Sequence, residues 1–443
     1  MQSTDSGGKQ PPLPEAVRGE TQHTRGLPRM LIAFRHRNFR WFFFGQMISL
    51  IGTWMQTAAL AWLVLELTHS AFLLALVGVL QYLPVMIFSL FGGVLADRLP
   101  KRSTLFFTQS LALLQATVMW GLVAMGAIQV WEILCLAAVL GLSTAFDQPT
   151  RQTFVLEMVG QEDLTNAVAL NSAITNVARV LGPGLGGILI AWLGVAPLFL
   201  LNALSFLAVI FGLLMIDLKA LHVLPGNPTG EQRLNVFQSA REGLSYVWHV
   251  PSLALPIGVL GAVMLFGINF NVMLPLFATD VLHAGSIGYG FLYSAFGIGA
   301  LFSSLWLAWG NQKPNIHALL IAALIFCALE IAFALSHFYL LSLPLIAGIG
   351  FAQVVMGTIA NITIQTVAPS HLRGRVMSVY LLVYSGGMPL GNLFAGGLAM
   401  LFGASISLLI GGILSLVAAL AGWIRRRPAE QSLAASINAL NIK

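Results

Sequence analysis

Gly92-Gly93-Val94-Leu95-Ala96-Asp97-Arg98-Leu99-Pro100-Lys101-Arg102 places Asp97, Arg98, Lys101 and Arg102 between two long apolar runs, 71–96 and 103–126. Each run is long enough to cross the hydrocarbon core as a helix, which takes about 20 residues. The segment is therefore a membrane-edge turn. Short turns rich in Lys and Arg stay in the cytoplasm.

The other connections agree. Of the 22 lysines and arginines, 21 fall in tails or connections on that same side. They are Lys9, Arg18, Arg25, Arg29, Arg35, Arg37 and Arg40; Arg98, Lys101 and Arg102; Arg151; Lys219, Arg233 and Arg241; Lys313; Arg373 and Arg375; and Arg425, Arg426, Arg427 and Lys443. The exception, Arg179, lies inside an apolar run. The alternating connections carry no base, so both termini are expected in the cytoplasm and the number of crossings is even.

Composition points the same way. The 443 residues are 57% hydrophobic and 9% charged, against about 25% charged in a soluble domain. The net charge of +6 reflects the inside bias and attraction to anionic headgroups rather than nucleic acid. The polar stretch before residue 41 has no apolar core of a cleaved signal. Cys135 and Cys327 both lie in apolar runs, where a small buried hydrophobe is the expectation. The histidines show no ligand spacing, so no metal or other cofactor is expected.

The apolar runs are 41–66, 71–96, 103–126, 130–149, 165–193, 196–217, 252–281, 287–310, 315–336, 338–366, 373–402 and 405–424. Inside a bilayer each must be helical, because the backbone finds no water to bond. The expected fold is all-α, an integral membrane protein of twelve transmembrane helices. Residues 1–39 form a polar, mostly disordered tail, 40–218 a first six-helix bundle, 219–250 a cytoplasmic linker, 251–425 a second bundle and 426–443 a C-terminal tail. Val236, Phe237, Ala240, Leu244, Val247 and Trp248 fall at helical spacing and predict an amphipathic helix on the membrane surface. The halves echo each other: Gly78 falls on Gly290 and Lys101 on Lys313 at one offset, Gly194 on Gly403 at another. Parallel repeats of this kind are a transporter architecture.

The opening segment resembles the signature loop of the major facilitator superfamily through Gly93, Asp97, Arg98, Lys101 and Arg102, with Pro100 where the family has glycine. The resemblance implies the major facilitator fold of two pseudo-symmetric bundles. It also implies a cytoplasmic gate in which Asp97 caps the helix beginning near Leu372. Asp147, in Phe146-Asp147-Gln148-Pro149-Thr150-Arg151, is expected to join that cluster with Lys101 or Arg98, beside Arg151. The proton-relay arginine of many drug exporters is absent, since position 137 is Ala137.

Ala178-Arg179-Val180-Leu181-Gly182-Pro183-Gly184-Leu185-Gly186-Gly187 resembles the fifth-helix signature of drug exporters, with Ala178 for the first glycine. Pro183 has no N–H for the carbonyl of Arg179 and should kink the helix. Gly386-Gly387-Met388-Pro389-Leu390-Gly391 is its counterpart. With Gly52-Thr53-Trp54-Met55-Gln56 and Arg241-Glu242-Gly243-Leu244, the chain is most similar to the branch containing the enterobactin exporter and macrolide efflux proteins.

That resemblance implies a midplane cavity, for which Thr53, Trp54, Gln56, Asn269, Asn271, Tyr293, Gln353, Asn361 and Tyr384 are candidates. Arg179 is either an anion or substrate contact, or a structural partner of Asp147, Glu157 or freed carbonyls. Glu330 is either a packing residue on a peripheral helix or a candidate proton site. The implied function is proton-coupled export, by a monomer in a bacterial plasma membrane, of a small amphipathic molecule such as a drug or siderophore. A transporter of lysophospholipid-like substrates and an importer are the alternatives. No nucleophile–base pair or metal cluster suggests an enzyme.

Overall fold

The computed structural model describes the backbone of residues 29–222, 236–310, 313–369 and 372–441. Within these, the side chains of 29–30, 89–98, 236–240 and 439–441 lie outside the described residues. Residues 1–28 of the tail, 223–235 of the linker, and the side chains of Gly93, Asp97 and Arg98 in the expected gate thus fall outside.

Among the described residues every regular element is helical. A short turn, Arg29–Arg35, leads into α1 (Arg37–Thr68), α2 (Ala71–Arg98), α3 (Lys101–Ala124), α4 (Val130–Leu193) and α5 (Ala196–Leu214). Then come α6 (Val236–His249), α7 (Pro251–Phe266), α8 (Phe270–Leu276), α9 (Gly285–Trp309), α10 (Ile316–Ala334), α11 (Tyr339–Val367), α12 (Arg373–Phe402), α13 (Ala404–Ile424) and α14 (Arg426–Asn441). Ten stretches among the described residues are long and apolar enough to cross a membrane, with α4 counted once and Pro251–Val281 counted once. The protein is a multi-pass membrane protein. The 30-residue α12 stands outside the ten, because Asn392, Pro389 and its glycines lower its mean hydropathy.

Two span boundaries read from the sequence are redrawn. The expected gap at 150–164 is helical: α4 runs 64 residues and breaks only at Gly160, whose φ of 72° favours glycine. The gap stays helical because Phe154, Val155, Met158 and Val159 are buried against Phe39 and Phe42, so those residues gain more by packing than by looping out. Conversely, the seventh run is broken. Gly267 to Asn269 separate α7 from α8, and Asn269 Nδ2 donates to the Leu265 and Phe266 carbonyls that the break frees, at 3.2 and 3.3 Å. The C-terminal tail is helical. It forms α14, whose Ala429 and Leu433 are buried and whose Ser432 bonds Ser252 at the foot of α7 at 2.9 Å. In the linker α6, Val247 is buried and Gly243 sits against the Arg375 backbone, while Leu244 and Trp248 face outward.

Helices α1 to α5 pack on one another, as do α7 to α13. The two groups meet mainly along two seams, α4 with α9 and α2 with α12, with α8 touching α1 and α2 between them. The end of the bundle holding the described termini is the terminal end; the opposite end, with loops such as Thr68 to Ser70, is the distal end.

Candidate functional site

Both seams rest on small residues, which let membrane helices approach backbone to backbone. In α4 the glycines divide between two faces. Gly182 and Gly186 abut Trp54, Met55 and Ala58 of α1, in the same bundle. Gly184 and Gly187 abut Ser294, Ser286 and Gly290 of α9, in the other. A side chain at Gly187 would meet the Ser286 carbonyl, and one at Gly290 would lie 2.5 Å from the Pro183 carbonyl. Helix α12 repeats the division: Gly387 and Gly391 meet α7, while Gly386 and Gly396 meet α2 at Met86 and Ala75.

A polar lock lies between the seams. Asn271 Nδ2 donates to the Tyr82 hydroxyl at 3.2 Å across the bundles, and the Tyr293 hydroxyl donates to Asn271 Oδ1. The ring centroids of Tyr293 and Trp54 are 6.0 Å apart.

On the terminal side of the lock is a cavity of about 310 Å³. Arg179 lines it from the first bundle; Gln353, Thr358, Asn361, Tyr380 and Tyr384 line it from the second. Gln353, Gly357 and Asn361 recur at i+4 on α11, and Tyr380 precedes Tyr384 by one turn, so each helix offers one face. Tyr380 and Thr358 were not among the sequence candidates; for the tyrosine, the four-residue spacing from Tyr384 was the available signal. The Arg179 guanidinium lies over Trp54, 5.4 Å from the ring centroid.

Three cavity candidates belong elsewhere. Gln56 is buried inside the first bundle, donating to Gln115 Oε1 at 3.1 Å and accepting from Asn202 Nδ2 at 2.7 Å. Asn269 serves the α7 break. The Thr53 hydroxyl donates back to the Ser49 carbonyl at 2.8 Å.

Of the two bases expected beside Asp147, Lys101 pairs elsewhere, and the Arg98 side chain lies outside the described residues. Asp147 pairs with Arg151 one turn along, and accepts from Thr108 Oγ1 at 3.0 Å and Gln109 Nε2 at 2.7 Å. Lys101 pairs instead with Glu157. Arg102 donates to the Leu213 carbonyl at the end of α5 at 2.8 Å. Arg375 pairs with Glu242, tying α12 to α6. Both acids offered as partners for Arg179 are thus engaged, and no ion pair reaches it among the described residues.

Glu330 faces the bundle interior, not lipid. It is fully buried, and neither carboxyl oxygen has a hydrogen-bond partner among the described residues. Gly267, Gly411 and Gly412 surround it: a side chain at Gly267 would lie 2.9 Å from Glu330 Oε2 and 3.0 Å from Ser415 Oγ.

Comparison with known proteins bears on this geometry. The model of a family described as transmembrane secretion effectors (MFS_3) matches residues 30–441. The multidrug efflux pump Tap of Mycolicibacterium fortuitum is 30% identical over 359 residues, covering 79% of this chain and 86% of the pump. The staphyloferrin A transporter of Staphylococcus aureus is 23% identical, covering 84% and 92%. The enterobactin exporter EntS of Shigella boydii is 26% identical, covering 86% and 92%. In fold, the chain superposes on the nucleoside transporter NupG with a TM-score of 0.71 at 12% identity, covering 88% of this chain and 99% of that one. A bacterial homologue of the lysosomal transporter Spinster, solved inward-facing and unoccupied, gives 0.65 at 13%, covering 89% and 98%.

Proposed function

The chain belongs to the transmembrane secretion effector family of the major facilitator superfamily, and from that premise we propose that it exports a small amphipathic organic molecule, of the drug or siderophore class, by alternating access. The carrying observation is the cavity between the bundles, with the polar lock and both seams on its distal side. Polar groups converge on it from both bundles, with Val354, Gly357 and Ile362 between them, a mixture that suits an amphipathic ligand. Opening the seams while the terminal end closes would turn the cavity outward.

The reading takes the protein to cross the membrane twelve times. The two limbs of α4 on either side of Gly160 each count as one crossing, and α12 supplies another. The one-sided distribution of Lys and Arg supports cytoplasmic termini, which makes the distal end the outer one. Each chain carries both bundles, which supports a monomer. Asp97, with Arg98, Lys101, Arg102, Asp147 and Arg151, forms the terminal-end gate in this reading.

Transport of a fluorescent amphiphile into inside-out vesicles tests it: uptake driven by an imposed pH gradient is expected from the wild type, and Asp97→Asn should abolish it while inserting normally. Uptake only in right-side-out vesicles makes the protein an importer.

Export is proton-coupled in this reading, with Glu330 as the carrier. Its carboxyl is fully buried with no donor among the described residues, and an acid placed so inside a membrane bundle is a functional candidate. Neither α7 nor α13 contains a titratable side chain, and Tyr339, the one on α11, bonds the Gly288 carbonyl at 3.2 Å. Cys327, one turn away on α10 itself, is a titratable neighbour. Glu330→Gln keeps the shape and removes the proton. It should uncouple transport from the pH gradient at unchanged thermal stability; gradient-driven transport at the wild-type rate rules out the assignment.

A further inference from the structure

We propose that the transported molecule carries an anionic group, a carboxylate or a group of similar charge and shape, which seats on Arg179. This rests on reading the cavity as the transport site.

An arginine at this depth needs a counter-charge or a wet face, and its rivals for one are spent. Asp147 is held by Arg151, Thr108 and Gln109. Glu157 is held by Lys101. Of the carbonyls around Pro183, that of Val180 accepts from the Ser294 hydroxyl at 2.6 Å, and that of Arg179 packs against Gly297, where a side chain would lie 3.2 Å away. What remains for the guanidinium is the Trp54 face. A ring positions a cation but does not neutralise it. Arg179 Nε is buried and has no partner among the described residues.

The rest of the wall sharpens the selectivity. Gln353, Thr358, Asn361, Tyr380 and Tyr384 are neutral hydrogen-bonding groups, and no lining residue is acidic. A cationic ligand would meet uncompensated like charge, whereas an anion supplies the missing partner. The planar guanidinium fork matches a carboxylate through two parallel bonds. The location also links binding to the seal, because Trp54 packs against both Arg179 and Tyr293 of the polar lock. An anion drawing Arg179 off the ring would loosen the packing behind Tyr293.

Two dyes on the same xanthene frame provide the test: anionic fluorescein and cationic rhodamine 6G, titrated by fluorescence anisotropy onto full-length protein in nanodiscs. Wild type should bind fluorescein at least tenfold more tightly than rhodamine 6G. Arg179→Gln should erase that preference, and Arg179→Lys, which keeps the charge and loses the fork, should retain part of it, with melting temperatures confirming that both variants fold. Preference for rhodamine 6G in the wild type overturns the inference while leaving the exporter reading intact, as does undiminished fluorescein binding by folded Arg179→Gln. Failure of both dyes to bind removes the cavity as an amphiphile site, and both readings with it.

Discussion

Two stretches, 179–187 in α4 and 384–391 in α12, use one device in the two bundles. An offset of 205 carries Gly182 onto Gly387 and Gly186 onto Gly391, and in both helices these glycines face the first helix of their own bundle, α1 or α7. Other glycines of the same stretches face the opposite bundle, α9 or α2. The same offset carries Arg179 onto Tyr384, and both line the cavity. The packing is therefore nearly two-fold while the chemistry is not. The first bundle contributes a cation where the second contributes a phenol. Shared packing holds the bundles together, and the one unshared side chain gives the cavity its sign.

The largest break in this comparison should come from the seam. Gly187→Leu drives a side chain into the Ser286 carbonyl and Gly290, where neither backbone can retreat without parting the bundles. Overpacking of this kind costs about 3 kcal/mol. The expected readouts are a lowered melting temperature and new labelling of a cysteine introduced at Ser286 by a membrane-impermeant thiol reagent; an unchanged melting temperature would show that the seam is slack.

A smaller effect should come from exchanging the unlike pair. Arg179→Tyr alone should weaken fluorescein binding about tenfold, or about 1.4 kcal/mol. Adding Tyr384→Arg should restore part of it, since the cation returns to the same cavity from the other wall. No recovery in the double variant would mean that the Trp54 platform, absent from the second wall, matters as much as the charge. The smallest effect is expected at Gly397, which nothing approaches within 4 Å. Gly397→Ala should change stability by no more than about 0.5 kcal/mol; a larger loss would place an unrecognised neighbour there.

Much of the scaffold was legible. Charge sidedness marks the ends of the crossings, and Pro183 and Pro389 among their glycines marked the helices of both seams. Which face of a helix looks inward was not legible. Lipid is as apolar as a leucine core, so hydropathy does not separate the two environments. That is why the sequence left open which way Glu330 points, a side chain that is fully buried, and why Gln56 and Asn269 read as cavity residues although they serve their own bundles. Charge pairing was equally hidden. Asp147 had Arg151 one turn away and Lys101 within tertiary reach, and spacing alone does not choose between them. The continuity of α4 through 150–164 depended on Phe39 and Phe42, more than a hundred residues away, to bury Phe154.

The two-sided glycine stretches also constrain how such a protein can diversify. A substitution at Gly182, Gly187 or Gly391 is trapped between neighbours and offers selection almost no room. Positions 179, 353, 361, 380 and 384 border open space instead. Among descendants of a common ancestor, changes of cargo should accumulate at those lining positions while the seams stay fixed, so that a new transporter arises by repainting the chamber without rebuilding its walls.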